Sequence, residues 1–343
     1  MYKAKQGKKM INKTLTQNQI DSFLRGDTKA VLNLAEIFMN INGYEKVKNT
    51  DIVKFLNGWE PEYLTTSESG WGMSTMDAIR CLYDLKRTAI FAKGIKKATD
   101  EIARHYPNEK LVAIDAGCGT GITSAALALS GFDKVIGIDI NHETITQAKK
   151  FIKGLGLSNK VLIKFADATT YDPKRKIHLI HSENLYTGII LEPQVQIINH
   201  LKKYLKKDGL IIPEIVTLHM TPLTVNWESV VNVESSIRLK HVRKENILYK
   251  SSKTIHKTIR FTPNTPQKDL ITATLTIDNP KSNAILVEMD VTVYGGIVLP
   301  ANNGKFLGTS EVFKVKCDCI SGDKGVISYR AGGKPPKELI DPK

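Results

Sequence analysis

The spacing of hydrophobic residues divides the chain into three parts. Over residues 1–70, apolar residues recur every three to four positions in short segments that end at glycine, which is typical of amphipathic helices. Apolar runs then alternate with helical segments, and the last third consists of β-branched runs separated by Asn, Pro and Gly. We therefore predict a helical N-terminal extension (1–70), an α/β domain (71–213) and an antiparallel β-rich domain (214–343).

The individual elements follow from the same pattern. The N-terminal helices are predicted at NQIDSFLRG, KAVLNLAEIFMNI and TDIVKFLNG, and longer helices at 74–106. Central strands are predicted at LVAID, KVIGID, VLIKFAD, IHLIHSE and GLIIPEIVTLHM, with PQVQIINHLKKYLKK as one helix before the last strand. This alternation predicts a doubly wound, mostly parallel Rossmann-like sheet. The C-terminal part is predicted to be a barrel or sandwich, with 225–256 as a candidate helical insertion.

Length and composition restrict the class of protein. At 343 residues the chain is long enough for two domains, and its 41% hydrophobic and 24% charged content is that of a soluble globular protein. Every apolar run is far shorter than the roughly 18 residues of a membrane-spanning helix. The basic N-terminus is followed by no apolar signal-peptide core. We therefore expect a cytoplasmic protein without a membrane partner.

Charge and cysteines change this picture little. The net charge of +14 favours acidic partners such as nucleic acid, but the lysines are spread along the chain and equally fit a solvated surface. The cysteines have no partner at zinc spacing, so we predict free thiols and no metal site. They are Cys81, Cys118, Cys317 and Cys319.

The segment AIDAGCGTGITSA carries the strongest local signal for a nucleotide-like ligand. Gly117, Gly119 and Gly121 follow Asp115 at the end of a predicted strand. A dinucleotide fingerprint would require glycine or alanine at the position of Ile122, so the spacing is D-x-G-x-G-x-G instead. In this arrangement the backbone passes close under an adenosyl ligand, and the Asp115 carboxylate is expected to meet a positively charged group.

Two further acids end the next strands. Asp139 stands where an acid accepts hydrogen bonds from ribose hydroxyls, and Asp167 stands where an acid meets an adenine amine. Strand-end features in this order resemble the class I S-adenosylmethionine-dependent methyltransferases more than nicotinamide or flavin enzymes. The resemblance implies S-adenosyl-L-methionine as the cofactor.

The segment SENLYTGIILEPQ places two glutamates nine positions apart. Taken singly, Glu183 is a strand-end acid and Glu192 is an acid at a helix N-terminus, where the helix dipole favours it. Together with Ser182, their spacing resembles the double-glutamate loop of the protein arginine methyltransferases. Upstream, LYDLKRTAIF is similar to that family's N-terminal helix, and downstream KYLKKDGLIIPEIVTLHM is similar to its following strand. The upstream residues in register are Asp84, Arg87 and Thr88.

The resemblance implies a chemical role for each of these residues. Guanidinium is permanently charged and a poor nucleophile, and two carboxylates can bind it through charge-assisted hydrogen bonds. Glu183 and Glu192 would leave electron density on the third nitrogen, and one of them, or a water it holds, would take the released proton. Arg87 would bind the carboxylate of the cofactor. The implied partner is an arginine-containing protein or peptide, and a homodimer would form through an arm within 225–256.

Some motifs of the family are missing, which leaves the methyl acceptor open. Its aromatic Y-F-x-x-Y box is not found in 59–73, its Thr-His-Trp loop is absent, and His178 stands where the family has an acid. A small guanidino or amino compound is therefore an alternative acceptor. RNA is another, although base methylation usually requires a polar-proline-aromatic motif where this chain has SENL. A non-catalytic scaffold is disfavoured because it needs neither the glycine loop nor both acids.

Overall fold

The computed structural model describes residues 15–57, 63–67, 70–230, 236–238, 242–264, 266–301, 310–314 and 324–332. Its first helices are α1 (Gln17–Leu24), α2 (Thr28–Ile41) and α3 (Ile52–Asn57). Thr16 and Gln19 form a capping box at the start of α1, and the Asp27 carboxylate caps α2. These helices match the predicted segments, and their buried faces join the hydrophobic core of the central sheet.

A short antiparallel hairpin and two helices lead into the α/β domain. Strands β1 (Tyr63–Ser67) and β2 (Gly70–Met73) pair with each other, which the hydrophobic pattern did not predict. Helix α4 (Thr75–Tyr83) is capped by Ser74, and α5 (Leu85–His105) is capped by Asp84. The second cap matters for the site, because it fixes the first turn of α5.

The central sheet is five-stranded, parallel and ordered β5-β4-β3-β6-β7, which confirms the predicted fold class. The strand order reverses direction at β3, where open α/β sheets bind ligands between adjacent strand ends. Its strands are β3 (Val112–Ala116), β4 (Lys134–Asp139), β5 (Val161–Phe165), β6 (Ile177–Ser182) and β7 (Leu205–Ile212). Its connecting helices are α6 (Ile122–Ser130), α7 (His142–Gly154) and α8 (Gln194–Leu201).

The boundary between α8 and β7 differs from the prediction. The helix ends at Leu201, and a 3-10 turn leads directly into β7, so the predicted helix to Lys207 is too long. In β7, Leu205, Gly209 and Ile211 are buried while the charged residues between them face outward. Because β7 is the edge strand of the sheet, solvent can accommodate those charges. The single strand predicted at GLIIPEIVTLHM is divided at Pro213, which separates the end of β7 from the start of the next strand.

The C-terminal part is antiparallel, as predicted. The ladder between β8 and β13 dominates it, running from Ile215 opposite Thr292 to Leu223 opposite Ala284. The seven-stranded sheet has the order β10-β8-β13-β15-β9, with β11 also on β8 and β14 on β13, and β12 pairs with β16. The strands are β8 (Ile215–Val225), β9 (Ser236–Arg238), β10 (Ile247–Lys250), β11 (Ile255–Arg260), β12 (Leu270–Thr276), β13 (Ala284–Tyr294), β14 (Ile297–Leu299), β15 (Ser310–Lys314) and β16 (Lys324–Arg330).

The segment 225–256 is not a helical insertion in its described part. It forms short strands and 3-10 turns, so that prediction is wrong. Strand β10 and the start of β11 pair with β8, and β9 pairs with β15. Pairing of two copies through this segment stays a prediction. Within the described ranges, the helices are too short or too polar to cross a membrane.

Candidate active site

One cavity lies at the carboxyl ends of β3, β4 and β6, where the strand order reverses. The strand-end position brings together residues that are far apart in the sequence. The predicted site residues in its lining are Arg87, Gly117, Gly119, Asp139, Asp167, Glu183 and Glu192. Gly121 and Asp115 are absent from that lining.

The glycine loop after β3 adopts a backbone that favours glycine at each predicted position. The φ angles of Gly117, Gly119 and Gly121 are 75°, 49° and 83°, all in the left-handed region. A Cβ at Gly117 would stand 2.4 Å from Oδ1 of Asn184, so a side chain there would displace the start of the double-glutamate loop. At Gly121 a Cβ would contact Ala148 of α7, so this glycine serves helix packing instead of the cavity.

Two predicted acids are oriented by backbone hydrogen bonds. Gly119 N donates to Asp139 Oδ2 at 2.9 Å, and Asn141 N donates to Oδ1 at 2.8 Å. Burial raises the pKa of Asp139, and these bonds oppose the rise. Asp167 Oδ1 accepts from the backbone and hydroxyl of Thr169 at 2.8 and 2.7 Å. Both carboxylates therefore have fixed orientations in the cavity lining.

Asp115 is held by hydrogen bonds to neighbouring side chains and is not part of the cavity lining. Its Oδ2 accepts from the hydroxyls of Thr123 and Ser124 at 2.9 and 2.5 Å, and its Oδ1 lies 2.7 Å from His181 Nδ1. The side chain is fully buried. The predicted contact of this carboxylate with a positively charged group of a ligand stays a prediction, since Asp115 is absent from the cavity lining while its neighbour His181 is part of it.

Arg87 and Glu183 form an ion pair in the cavity lining after β6, which lies on the other side of β3 from the strands that lead to Asp139 and Asp167. The Asp84 cap accepts from Arg87 N at 3.3 Å and fixes the turn from which the guanidinium extends. Arg87 Nη2 donates to Glu183 Oε1, and the two side chains are 13% and 18% exposed. Arg87, which was predicted to bind the cofactor carboxylate, thus pairs in this structure with Glu183, the first glutamate of the double-glutamate loop (182–194).

Glu192 is the more deeply buried of the two glutamates, at 6% exposure. Burial raises its pKa to about 7, and the nearby Arg87 charge limits the rise. A carboxyl group with this pKa can both give up and take a proton near neutral pH. The two glutamates thus share one cavity end but differ in environment.

Gln194 is a site residue that the sequence did not reveal. Its fully buried amide donates from Nε2 to the Ser182 carbonyl at 2.8 Å. Its Oε1 accepts from the Ser182 hydroxyl at 2.9 Å and from Asn184 N at 3.1 Å. These bonds join the two ends of the double-glutamate loop. A glutamine next to Pro193 at the start of a buried helix was the available signal, since its amide requires partners.

The antiparallel domain holds the middle of the same loop. Tyr329 of β16 donates its hydroxyl to the Gly188 carbonyl at 2.7 Å, and Gly332 N donates to the Ile189 carbonyl at 3.0 Å. Tyr186 donates its hydroxyl to Glu311 of β15 at 3.0 Å. The loop that carries both glutamates is therefore fixed by both domains.

The remaining sequence features lie elsewhere. His178 accepts from Val112 N at 3.0 Å, at the amino end of the sheet and away from the cavity. Cys81 and Cys118 are free thiols in the cavity lining, whereas Cys317 and Cys319 lie outside the described residues. Within 59–73, searched for the aromatic box, residues 59–62 and 68–69 are also outside them. Among the described side chains, no group of three or more His, Cys, Asp or Glu is arranged to hold a metal ion.

The cavity fits the predicted cofactor. Carboxylates at one end suit the ribose hydroxyls and adenine amine, the glycine loop leaves room for the backbone to approach the ligand, and a guanidinium stands at the other end. The buried His181 Nε2 has no hydrogen-bond partner among the described residues. A ligand with an amino-acid tail would supply charged groups at that end.

Comparison with known proteins agrees with this fit. A family model for a methyltransferase domain matches residues 107–278, just over half of the chain. An uncharacterized protein of Methanocaldococcus jannaschii is 37% identical over 134 residues, covering 38% of this chain and 48% of that protein. Probable protein arginine N-methyltransferase 6 of Arabidopsis thaliana is 32% identical over 117 residues, covering 34% and 27%. Protein arginine N-methyltransferase 1 of Saccharomyces cerevisiae is 30% identical over 144 residues, covering 41% and 39%.

The sequence matches span less than half of these relatives' own lengths, whereas the fold comparison reaches further. A chain of the Trypanosoma brucei PRMT1 enzyme-prozyme heterotetrameric complex with AdoHcy superposes with a TM-score of 0.54, at 18% identity, over 73% of this chain and 83% of that one. This likeness supports the combination of a Rossmann-like sheet with an antiparallel β domain. The chain therefore belongs to the methyltransferase domain family, which confirms the resemblance to S-adenosylmethionine-dependent methyltransferases predicted from its motifs.

Proposed function

We propose that this protein transfers a methyl group from S-adenosylmethionine to a guanidinium nitrogen of arginine in a protein or peptide. One observation carries the proposal: Glu183 and Glu192, nine residues apart, both line the same cavity as Asp139 and Asp167. The similarity to proteins named as arginine methyltransferases supports it.

The cofactor site divides into two ends. Asp139 and Asp167 would hold the ribose and the adenine, the loop from Gly117 to Gly119 would lie under the adenosyl group, and Arg87 would balance the cofactor carboxylate. When bound there, S-adenosylmethionine supplies an electrophilic methyl group on a positively charged sulfur. The protein's task is then to present a nucleophilic nitrogen to that methyl group and to remove one proton.

The two glutamates would bind the acceptor guanidinium. Arg87 engages Oε1 of Glu183, so we assign Oε2 of Glu183 and the Glu192 carboxylate to the acceptor. Charge-assisted hydrogen bonds from these oxygens draw positive charge toward the nitrogens they hold. Electron density is left on the remaining nitrogen, which is otherwise a poor nucleophile. Fixing this geometry supplies much of the acceleration.

Proton removal falls to Glu192. When the nitrogen–methyl bond forms, the sulfur–methyl electron pair stays on sulfur, and the substituted nitrogen must lose one proton. Glu192 has a pKa of about 7, which is near the optimum for a group that accepts a proton at neutral pH. Glu183, paired with Arg87, would keep its role in binding.

The structure offers RNA base methylation little support. Asn184 is the only amide of the SENL segment, and its Nδ2 donates to Ala116 O and to the Ser182 hydroxyl, both at 2.9 Å. That amide is therefore committed to holding the loop. A small guanidino compound would use the same two glutamates, so experiment must separate it from a peptide.

The test follows the methyl group into its acceptor. The protein, Glu183→Gln and a control, Glu228→Gln, are incubated with methyl-labelled S-adenosylmethionine and a cell extract. Glu228 is exposed on the turn after β8. We expect label in protein that hydrolyses to methylarginine, lost in Glu183→Gln and kept in the control. Label in RNA or in small molecules would overturn the assigned acceptor, and no label in any fraction would overturn the activity.

A further inference from the structure

His181 is a buried polar group of the cavity that the proposed function leaves unused. Its side chain is 1% exposed and forms part of the cavity wall. Its Nε2 makes no hydrogen bond within the described part of the chain. Buried polar atoms are rarely left without a partner, so this nitrogen indicates a ligand group that donates or accepts there.

Asp115 determines which kind of ligand group suits His181. Nδ1 of the ring lies 2.7 Å from Asp115 Oδ1, and the other oxygen of this carboxylate accepts from Thr123 and Ser124. A carboxylate only accepts, so the ring carries a proton on Nδ1, and the tautomer that fits this contact leaves Nε2 without one. Nε2 then presents a lone pair to the cavity and requires a hydrogen-bond donor.

The position of His181 selects the part of the cofactor that donates. His181 lies at the carboxyl end of β6, Glu183 directly follows that strand, and both side chains contact the same helix, α5. Helix α5 covers this side: Phe91 meets the imidazole edge-on with 5.7 Å between ring centroids, and Arg87 pairs with Glu183. This is the end of the cavity away from Asp167, where the methionyl part of the cofactor would lie.

We propose that His181 Nε2 accepts a hydrogen bond from the α-ammonium group of S-adenosylmethionine, with Asp115 as the positioning residue behind it. The methionyl part offers one cation and one anion. Arg87 is matched to the carboxylate, and the Nε2 lone pair is matched to the ammonium. This inference rests on the cofactor of the proposed function and is independent of the acceptor.

In this arrangement Asp115, the acid that precedes the glycine loop, acts on the cofactor through His181. Asp115 is not part of the cavity lining, but its carboxylate orients the imidazole that is. The contact selects ligands that carry the amino-acid tail over the bare thioadenosine. It also fixes the methionyl chain at the end next to Glu183, where the sulfur must be held for transfer.

The test compares three ligands by calorimetry on the wild-type protein and on His181→Phe, which keeps an aromatic ring against Phe91. The ligands are S-adenosylhomocysteine, its deaminated analogue and 5′-methylthioadenosine. We expect the variant to bind S-adenosylhomocysteine roughly ten- to a hundredfold more weakly, the range for a lost charge-assisted hydrogen bond. Loss of the amine should cost the wild type a similar factor and the variant less than about threefold, while both bind 5′-methylthioadenosine alike.

Other outcomes overturn the inference in distinguishable ways. Equal weakening for all three ligands would indicate a general disturbance of the cavity. If loss of the amine weakens binding equally in both proteins, His181 does not contact the ammonium group. If the wild type binds no S-adenosylhomocysteine, the proposed function falls first. Should His181→Phe not fold, the ¹⁵N shift of His181 in the wild type decides. It should move on adding S-adenosylhomocysteine but not 5′-methylthioadenosine, and no difference would refute the contact.

Discussion

Gln194 and Ser182 form a paired contact that closes the double-glutamate loop at its base. The Gln194 amide donates to the Ser182 carbonyl at 2.8 Å and accepts from the Ser182 hydroxyl at 2.9 Å. Glu183 follows Ser182 directly, and Glu192 lies two residues before Gln194. The distance between the two carboxylates thus depends on this amide, although it has no place in the chemistry.

We predict that Gln194→Leu lowers turnover at least tenfold while the affinity for S-adenosylhomocysteine changes much less. The substitution leaves buried groups of Ser182 and Asn184 without partners, at a cost of about 1–3 kcal/mol for each group. Turnover assays and calorimetry measure the two effects. Asn199→Leu is the control, because Asn199 makes a similar amide pair with Gln267, at 2.7 and 3.0 Å, from the same helix. Equal loss of turnover in both variants would indicate general destabilisation.

The pKa of Glu192 predicts the pH dependence of the reaction. Guanidinium binding and proton transfer require the ionised carboxylate, so kcat/KM should rise with pH through about 7 and then level off. Glu192→Gln should lose most activity, and its residual rate should lack this limb. A wild-type profile that is flat between pH 6 and 8 would contradict the assignment.

The same shift predicts a change in stability with a definite sign. The folded pKa of about 7 lies above the unfolded value of 4.5, so the contribution of Glu192 is full below the unfolded pKa and is lost as pH rises through the folded one. Relative to Glu192→Gln, the wild type should lose on the order of 3 kcal/mol of unfolding free energy between about pH 4 and 8. Denaturant titrations at several pH values measure it, and parallel curves for both proteins would refute the shift.

Glu183→Gln should separate acceptor binding from cofactor binding. The amide oxygen of glutamine can still accept from Arg87, so the dissociation constant for S-adenosylhomocysteine should stay within about threefold. The charge that binds the acceptor is lost, and we expect turnover to fall at least a hundredfold. Unchanged turnover would show that this carboxylate does not hold the acceptor, whereas lost cofactor affinity would show that its charge is needed to place Arg87.

Gly119→Arg should abolish cofactor binding while the protein stays folded. Gly119 lines the cavity with a φ of 49°, so any side chain is strained there and arginine fills the ligand space. Gly156→Arg is the matched control, because Gly156 also has a positive φ of 73° but a Cβ there meets nothing within 4 Å. Calorimetry and thermal unfolding should show similar stability for both variants and binding only in the control. Retained binding in Gly119→Arg would move the cofactor elsewhere.

The sequence predicted the parallel sheet and seven of the residues that line the cavity, because both depend on local patterns. Strand-end residues such as Asp139, Asp167 and Glu183 meet at one edge once the strands are parallel. The order of the strands is not local. Only with β3 beside β6 does Asp115 stand next to His181, in register, so the sequence could not show that these two side chains meet.

Other differences have similar causes. The residues from Gln194 to Lys207 have the spacing of a helix, but those from Leu205 on belong to the edge strand β7. The β1–β2 hairpin has too short an alternation to predict. Gln194 was missed because one buried amide leaves no periodic signal, and its partner Ser182 lies twelve positions away.

The hydroxyl of Tyr329 on the Gly188 carbonyl has a consequence for how new acceptors could be selected. The antiparallel domain, which contains Tyr329, also holds the loop between the two glutamates. It therefore cannot be exchanged for another domain without affecting the positions of both acids. A chimaera that kept every residue of the parallel sheet but replaced the antiparallel domain would lose these hydrogen bonds. Glu183 and Glu192 would then be held less firmly. Changing the methyl acceptor of this protein therefore requires a redesign of the contact between the two domains. Tyr186, Tyr329 and Gly332 should be retained in it, because their hydrogen bonds hold the loop.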